Sequence, residues 1–306
     1  MDMDLTKFHG IIPAFYACYD EQGNMSEPRT AALADYLYQR GVQGVYVGGS
    51  SGECIYHSVE ERKQALAYAA RALKGKMTLI AHVGAPSTRD SIELARHAAE
   101  LGYDALSAIP PIYFKLPDSA VVGYWTAIMA ATELPFIIYN IPQTTGYTLT
   151  PAVFRQLLAN PKVIGVKNSS MPALDIERFK SAGGDRVVVF NGPDEQFVAG
   201  RIMGAAAGIG GTYAAMPELY LQADRLVREG RFEEAGKLQS KINDVIVALC
   251  SLDGSMYAAI KEVLRRRGVN IGGVRAPLED VSPADAGRID GIAAAIDALV
   301  KRYDEA

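Results

Sequence analysis

The sequence predicts an α/β fold: a closed (β/α)8 barrel, the TIM barrel, with a C-terminal helical extension. Three observations predict it. Eight short apolar runs alternate with helical patterns between Gly10 and Glu229, the order expected of strand–helix units in a parallel sheet. No Gly-x-Gly-x-x-Gly follows the first run, as a dinucleotide-binding open sheet would require. After about Gly230 the strand pattern ends and only helical patterns remain. Residues 1–230 are therefore expected to form the barrel and residues 231–306 the extension.

Taken in order, the expected strands are Gly10–Cys18, Gly44–Gly49, Thr78–Gly84, Ala105–Ile109, Pro135–Asn140, Val163–Asn168, Val187–Gly192 and Ala207–Gly211. Helices are expected between them, at Glu27–Arg40, Ser58–Leu73, Thr88–Leu101, Ser119–Ala131, Pro151–Ala159, Ala173–Ser181, Asp194–Met203 and Pro217–Glu229. Local chemistry supports several ends. Ser26 precedes Glu27-Pro28, Ser58-Val59-Glu60-Glu61 has capping-box spacing, and Thr150 precedes Pro151. Gly41 and Gly102 stand where helices close. Arg231–Ser251, Ser255–Arg267 and Pro283–Arg302 read as three further helices.

Composition narrows the function. With 306 residues, 49% hydrophobic and 22% charged, the chain can bury a large core. A net charge of −4 favours neither nucleic acid nor an anionic membrane. The one dense basic run, Arg265-Arg266-Arg267, is expected to face solvent. Cys18, Cys54 and Cys250 are odd in number and far apart, which fits a reducing compartment and supplies no metal framework. His9, His57 and His97 have no ligand spacing, and His82 reads as a satisfied core histidine. The acidic start Met1-Asp2-Met3-Asp4 lacks a signal-peptide layout, and no apolar run reaches membrane-spanning length. The cytoplasm is the expected compartment.

In a barrel of this kind the site lies at the C-terminal ends of the strands. The sixth strand ends in Val166-Lys167-Asn168, and lysine is rarely buried in an apolar strand without cause. Lys167 is either an ammonium reaching solvent or an amine kept neutral by desolvation to attack a ketone. Tyr139 closes the fifth strand after a run of similar length. Adjacent strands are about 4.8 Å apart, so the phenol can meet the amine and shuttle its protons. Gly48-Gly49-Ser50-Ser51-Gly52 is either an ordinary turn or a seat for a carboxylate. Glu53 reads as structural. Asp194 and Glu195 either complement a helix dipole or accept hydrogen bonds from substrate hydroxyls. Gly208–Gly211 could form a phosphate nest.

Gly49-Ser50-Ser51-Gly52-Glu53, Tyr139-Asn140-Ile141-Pro142 and Gly165-Val166-Lys167, in that order, resemble the N-acetylneuraminate lyase / dihydrodipicolinate synthase family of class I pyruvate aldolases, over about residues 8 to 270. The resemblance implies Schiff-base chemistry at Lys167 with neither cofactor nor metal, Tyr139 as proton shuttle, and Ser50 with Ser51 on the pyruvyl carboxylate. It also implies a homotetramer, in which Tyr113 matches a tyrosine that reaches into a neighbouring subunit's site in some members. Dihydrodipicolinate synthases carry an arginine after the tyrosine motif, whereas Pro142-Gln143-Thr144-Thr145-Gly146 has none. Asn191-Gly192-Pro193-Asp194-Glu195, Ala81-His82-Val83-Gly84, Ser169 and Gly208-Ile209-Gly210 are similar to sialate lyases, and Tyr257 matches an aromatic lining that pocket. Gly211 stands where those lyases commonly have serine, and Ser51 where many have threonine. The lyase branch implies reversible cleavage of N-acetylneuraminate to pyruvate and N-acetylmannosamine, with Ser169, Gly192, Asp194, Glu195, Gly211 and Tyr257 around the polyol. A different pyruvate aldolase (dihydrodipicolinate synthase-like or acting on keto-deoxy-sugar acids) and a non-catalytic keto-acid or sugar sensor are the alternatives.

Overall fold

The computed structural model describes residues 4–304; Met1–Met3 of the acidic N-terminus lie outside the described residues. Eight parallel strands close into a barrel in sequence order. They are β1 (Gly10–Phe15), β2 (Gly44–Val47), β3 (Thr78–His82), β4 (Ala105–Ala108), β5 (Phe136–Asn140), β6 (Val163–Asn168), β7 (Val188–Asn191) and β8 (Ala207–Gly210). The helices between them are α1 (Glu27–Gln39), α2 (Val59–Leu73), α3 (Thr88–Leu101), α4 (Asp118–Ala130), α5 (Pro142–Thr145), α6 (Pro151–Leu157), α7 (Leu174–Gly183) and α8 (Phe197–Ile202). After β8 come α9 (Pro217–Arg228), α10 (Phe232–Cys250), α11 (Met256–Arg266) and α12 (Ala286–Asp304).

All eight expected strands form, most of them shorter than their apolar runs. The run Gly10–Cys18 pairs only as far as Phe15, and Tyr16 to Cys18 stay buried beyond the last paired residue. Hydrophobicity reports burial, not pairing, so these residues read as strand. Two layers share the core. Ile12, Tyr46, Ile80, Ile137, Tyr139, Val188, Phe190 and Ile209 fill the barrel interior, while residues of the opposite parity pack against the helices.

The caps match the sequence in part. Ser58 and Glu61 make the capping box, Thr150 accepts from the Val153 N–H, and Gly102 closes α3 at a φ of 81°. The Ser26 side chain caps nothing; instead its carbonyl accepts from the Thr30 hydroxyl at 2.8 Å. The basic run does not lie wholly in solvent either. Arg267 turns inward to Glu218 (2.6 Å) and the Ala215 carbonyl (2.7 Å), because it caps the end of α11, about 200° around the helix axis from Arg265.

One register change decides which way the end of β6 faces. Phe136 pairs with Val163, but Ile137 pairs with Gly165, so Ile164 is an extra residue in β6. Such a bulge reverses the inside–outside parity of every residue after it. Tyr139 and Lys167 thereby become partners, on the parity of the inward-facing Phe190. In unbroken register Lys167 would oppose Asn140 and face the helices. Gly165 permits this path, since a Cβ there would collide with the Val188 carbonyl oxygen.

Candidate active site

Lys167 is 5% exposed. Its Nζ lies 3.9 Å from the centroid of the Tyr139 ring and 4.5 Å from that of Tyr46. The two rings meet edge to face, and the Tyr46 hydroxyl donates to Ser107 at 2.9 Å. Among the described residues no carboxylate forms an ion pair with Lys167. A carboxylate there would tie up the amine as half of a salt bridge, whereas aromatic faces hold it more weakly, by about 0.5–2 kcal/mol. Outside the barrel wall, Asn140 donates to Asn168 at 2.7 Å, and Asn168 donates to Ser170 at 2.9 Å. These bonds pin the ends of β5 and β6 together.

The cavity above the amine has a volume of about 240 Å³. Lys167, Tyr139, Ser50, Ser51, Ser169, Gly192, Asp194, Glu195, Gly211 and Tyr257 all line it. Sequence spacing alone could not show that these residues share one space. Ser50–Gly52 form a single 3-10 turn at the end of β2. That turn closes on Glu53, which is left-handed at a φ of 51° and 1% exposed. Glu53 accepts from Lys261 (2.7 Å), Tyr19 (3.1 Å) and the Arg275 N–H (2.7 Å). It is a structural anchor, and burial lowers the pKa of the Lys261 ammonium despite the Glu53 charge beside it.

The far wall comes from the β7 and β8 ends. Asp194 opens a 3-10 turn, Asp194–Gln196, ahead of α8. Burial pushes its carboxyl up to about 6, against the pull of two hydrogen bonds from Thr212. Glu195 is exposed at the rim. α10 holds this wall from behind: Gln239 donates to the Asp194 carbonyl (3.1 Å) and Asn243 to that of Glu195 (3.0 Å). A Cβ on Gly211 would stand 3.1 Å from the Ser51 hydroxyl, so a serine there would crowd Ser51. Gly208 and Gly210 serve close packing. Side chains at these positions would collide with Tyr213, Phe197 and Asp194.

Comparisons with known proteins give the family. A model of the dihydrodipicolinate synthetase family matches residues 7–295. The chain belongs to that family. It is 54% identical to an N-acetylneuraminate lyase of Mediterraneibacter gnavus over 90% of this chain and 88% of that protein. An N-acetylneuraminate lyase of Rhizobium meliloti is 39% identical over 91% and 92%. The structure superposes on a catalytic-lysine mutant of the Ruminococcus gnavus sialic acid aldolase with a TM-score of 0.97, at 50% identity over 98% of this chain and 99% of that one.

Against the family pattern, two points of placement stand out. Tyr113 lies outside the cavity: it is 92% exposed, has a φ of 82°, and stacks edge-on with the exposed Phe114. His82 is the satisfied core histidine expected, with Nδ1 donating to the Gly48 carbonyl (2.8 Å) and Nε2 accepting from the Ile109 N–H (3.3 Å). Burial and the nearby Arg62 push its pKa well down. Sequence reasoning missed Tyr46, Tyr16 and Thr212. Tyr16 donates to the Gly211 carbonyl at 3.2 Å and meets Tyr257 edge to face. Their only signal was position: Tyr46 has inward parity on β2, Tyr16 comes just after β1, and Thr212 just after β8.

Proposed function

We propose that this protein is a Schiff-base N-acetylneuraminate lyase, a carbon–carbon lyase of carbohydrate metabolism that needs no added cofactor. The observation that carries the proposal is the buried Lys167 amine, turned into the cavity against Tyr139 by the β6 bulge. The 54% identity to an N-acetylneuraminate lyase selects the sugar.

In this reading the Lys167 nitrogen attacks the C2 ketone of the open-chain sugar acid. Water leaves, and an iminium forms. Ser50 and Ser51 hold the carboxylate. Tyr139 takes the C4 hydroxyl proton, the C3–C4 bond breaks, and its electron pair passes to the iminium to give an enamine. N-acetylmannosamine departs. Protonation of the enamine at C3 and hydrolysis then release pyruvate and restore the amine. Ser169, Asp194, Glu195 and Tyr257 surround the polyol, with Gly192 and Gly211 presenting backbone. Ile246, Met256 and Tyr257 bring residues of the extension into the cavity wall, so residues 231–306 complete the site that the barrel begins. Among the described residues no arginine lines the cavity, which leaves a second substrate carboxylate without a bidentate partner and disfavours a dihydrodipicolinate synthase activity.

Incubation with pyruvate and borohydride should leave a reduced adduct on Lys167, mapped by mass spectrometry. An unmodified lysine would end the proposal. Pyruvate release should be fastest with N-acetylneuraminate in a panel of related sugar acids. The same reading gives a cytoplasmic homotetramer in which the exposed Tyr113–Phe114 pair packs against a neighbouring copy. Light scattering should then report four copies, and Tyr113→Ala should weaken the assembly. Among the described residues no helix is long and apolar enough to cross a membrane.

A further inference from the structure

Tyr16 follows β1 and is 1% exposed. Its ring meets Tyr257 edge to face, with centroids 6.1 Å apart, and its hydroxyl donates to the Gly211 carbonyl at 3.2 Å. Ser51 is 5% exposed, and its hydroxyl faces the same small space. The point where a Cβ on Gly211 would sit is 3.1 Å from the Ser51 hydroxyl and 3.6 Å from that of Tyr16. Ser51, Gly211 and Tyr257 line the cavity, whereas Tyr16 stands behind all three and is not part of its wall.

A buried phenol needs a polar partner. The bond to Gly211, at 3.2 Å, is longer than the roughly 2.7–2.8 Å usual for a hydroxyl donor. The Tyr16 proton is therefore weakly held there. Burial pushes the Tyr16 pKa well up, and the Ser51 hydroxyl is the neighbour that pulls it back. Tyr16 is thus a neutral donor across neutral pH, with Ser51 beside it. Each hydroxyl has one proton to give and an oxygen that can accept.

We infer that Tyr16 is a positioning residue that acts through Ser51: its hydroxyl donates to the Ser51 oxygen while Ser51 gives its own proton to the substrate carboxylate. The inference rests on the carboxylate role proposed for Ser51 and deepens it. A hydroxyl that receives a hydrogen bond donates more strongly in turn, and a charged acceptor draws the most from such a chain. Gly211 makes the arrangement possible, since a side chain there would enter the space that the two hydroxyls share. No bond to carbon is made or broken through Tyr16. Its effect falls equally on bound substrate and transition state, so it belongs to KM and not to kcat.

The test is borohydride trapping on Lys167 over a range of pyruvate concentrations, for the wild type, Tyr16→Phe, Ser51→Ala and the double variant. Tyr16→Phe should raise the half-saturating pyruvate concentration by roughly three- to tenfold. Methyl pyruvate, an uncharged ester, should require the same concentration in both proteins. In the Ser51→Ala background Tyr16→Phe should add nothing, because the group it acts through is gone. For cleavage of N-acetylneuraminate, Tyr16→Phe should raise KM by the same factor and leave kcat unchanged. Gly211→Ala, whose methyl enters the shared space, should raise the pyruvate requirement alone, and it carries the test if Tyr16→Phe does not fold. A folded Tyr16→Phe that traps pyruvate like the wild type overturns this assignment. So does an equal shift for pyruvate and its ester, or a shift that persists without the Ser51 hydroxyl, since either would mean that Tyr16 serves only to pack. A wild type that forms no adduct at all overturns the Schiff-base reading, and this assignment with it.

Discussion

The Lys167 nitrogen is held between two ring faces instead of against a carboxylate. In the proposed mechanism Tyr139 therefore has two duties, packing against the amine and moving protons for it. Removing only its hydroxyl separates them. Tyr139→Phe should keep the ring and still trap pyruvate on Lys167, while kcat for sugar cleavage falls by about 10²–10⁴-fold. Equal losses of trapping and turnover would show that the phenol serves only to pack. Lysine at the end of an apolar strand was legible in the sequence, and so was the tyrosine one strand earlier. Tyr46 was not, since an aromatic at inward parity on β2 looks like any other core residue until the rings are seen around one nitrogen.

At the level of elements, β6 carries the decisive irregularity. Its extra residue, Ile164, turns Lys167 from the helix layer to the barrel interior. Gly165 keeps the strand close to β7, because a methyl group there would meet the Val188 carbonyl. Gly165→Ala should cost on the order of 1–3 kcal/mol of stability and lose more activity than that accounts for, because any relief of the collision shifts the strand that bears the amine. Thermal melting and borohydride trapping on the same sample check this. A variant with wild-type melting and trapping would contradict the role given to the bulge. The apolar run Val163–Val166 announced a strand. It could not announce the bulge, which depends on how β6 meets β5.

Across the whole molecule, the extension is tied to the Ser50–Gly52 turn by one buried ion pair. Lys261 on α11 is 2.7 Å from Glu53, and the two side chains are 1% and 0% exposed. Tyr257, one turn earlier on the same helix, lines the cavity, so a single helix sets both the Ser50–Gly52 turn and a wall of the pocket. Lys261→Met should destabilise the protein by about 3–5 kcal/mol, because it strands a buried charge. Adding Glu53→Gln should recover part of that loss. Urea denaturation of the two variants reads the difference, and an unrecovered double variant would mean that the pair acts through packing alone. Glu53 looked structural from its place after the serine turn, but its partner 208 residues later was beyond any local pattern.

The sequence by itself determined the alternation that closes a barrel, the helices that come after it, and the lysine and tyrosine that end neighbouring strands and are proposed to carry the chemistry. Those are local properties: periodicity, turn chemistry and residue type at the end of a strand. Tertiary structure alone decided which face Lys167 presents, and that Thr212 holds Asp194 across 18 residues of chain. Parity at a bulge and the partners of a buried carboxylate are set by neighbouring strands, so no single segment encodes them.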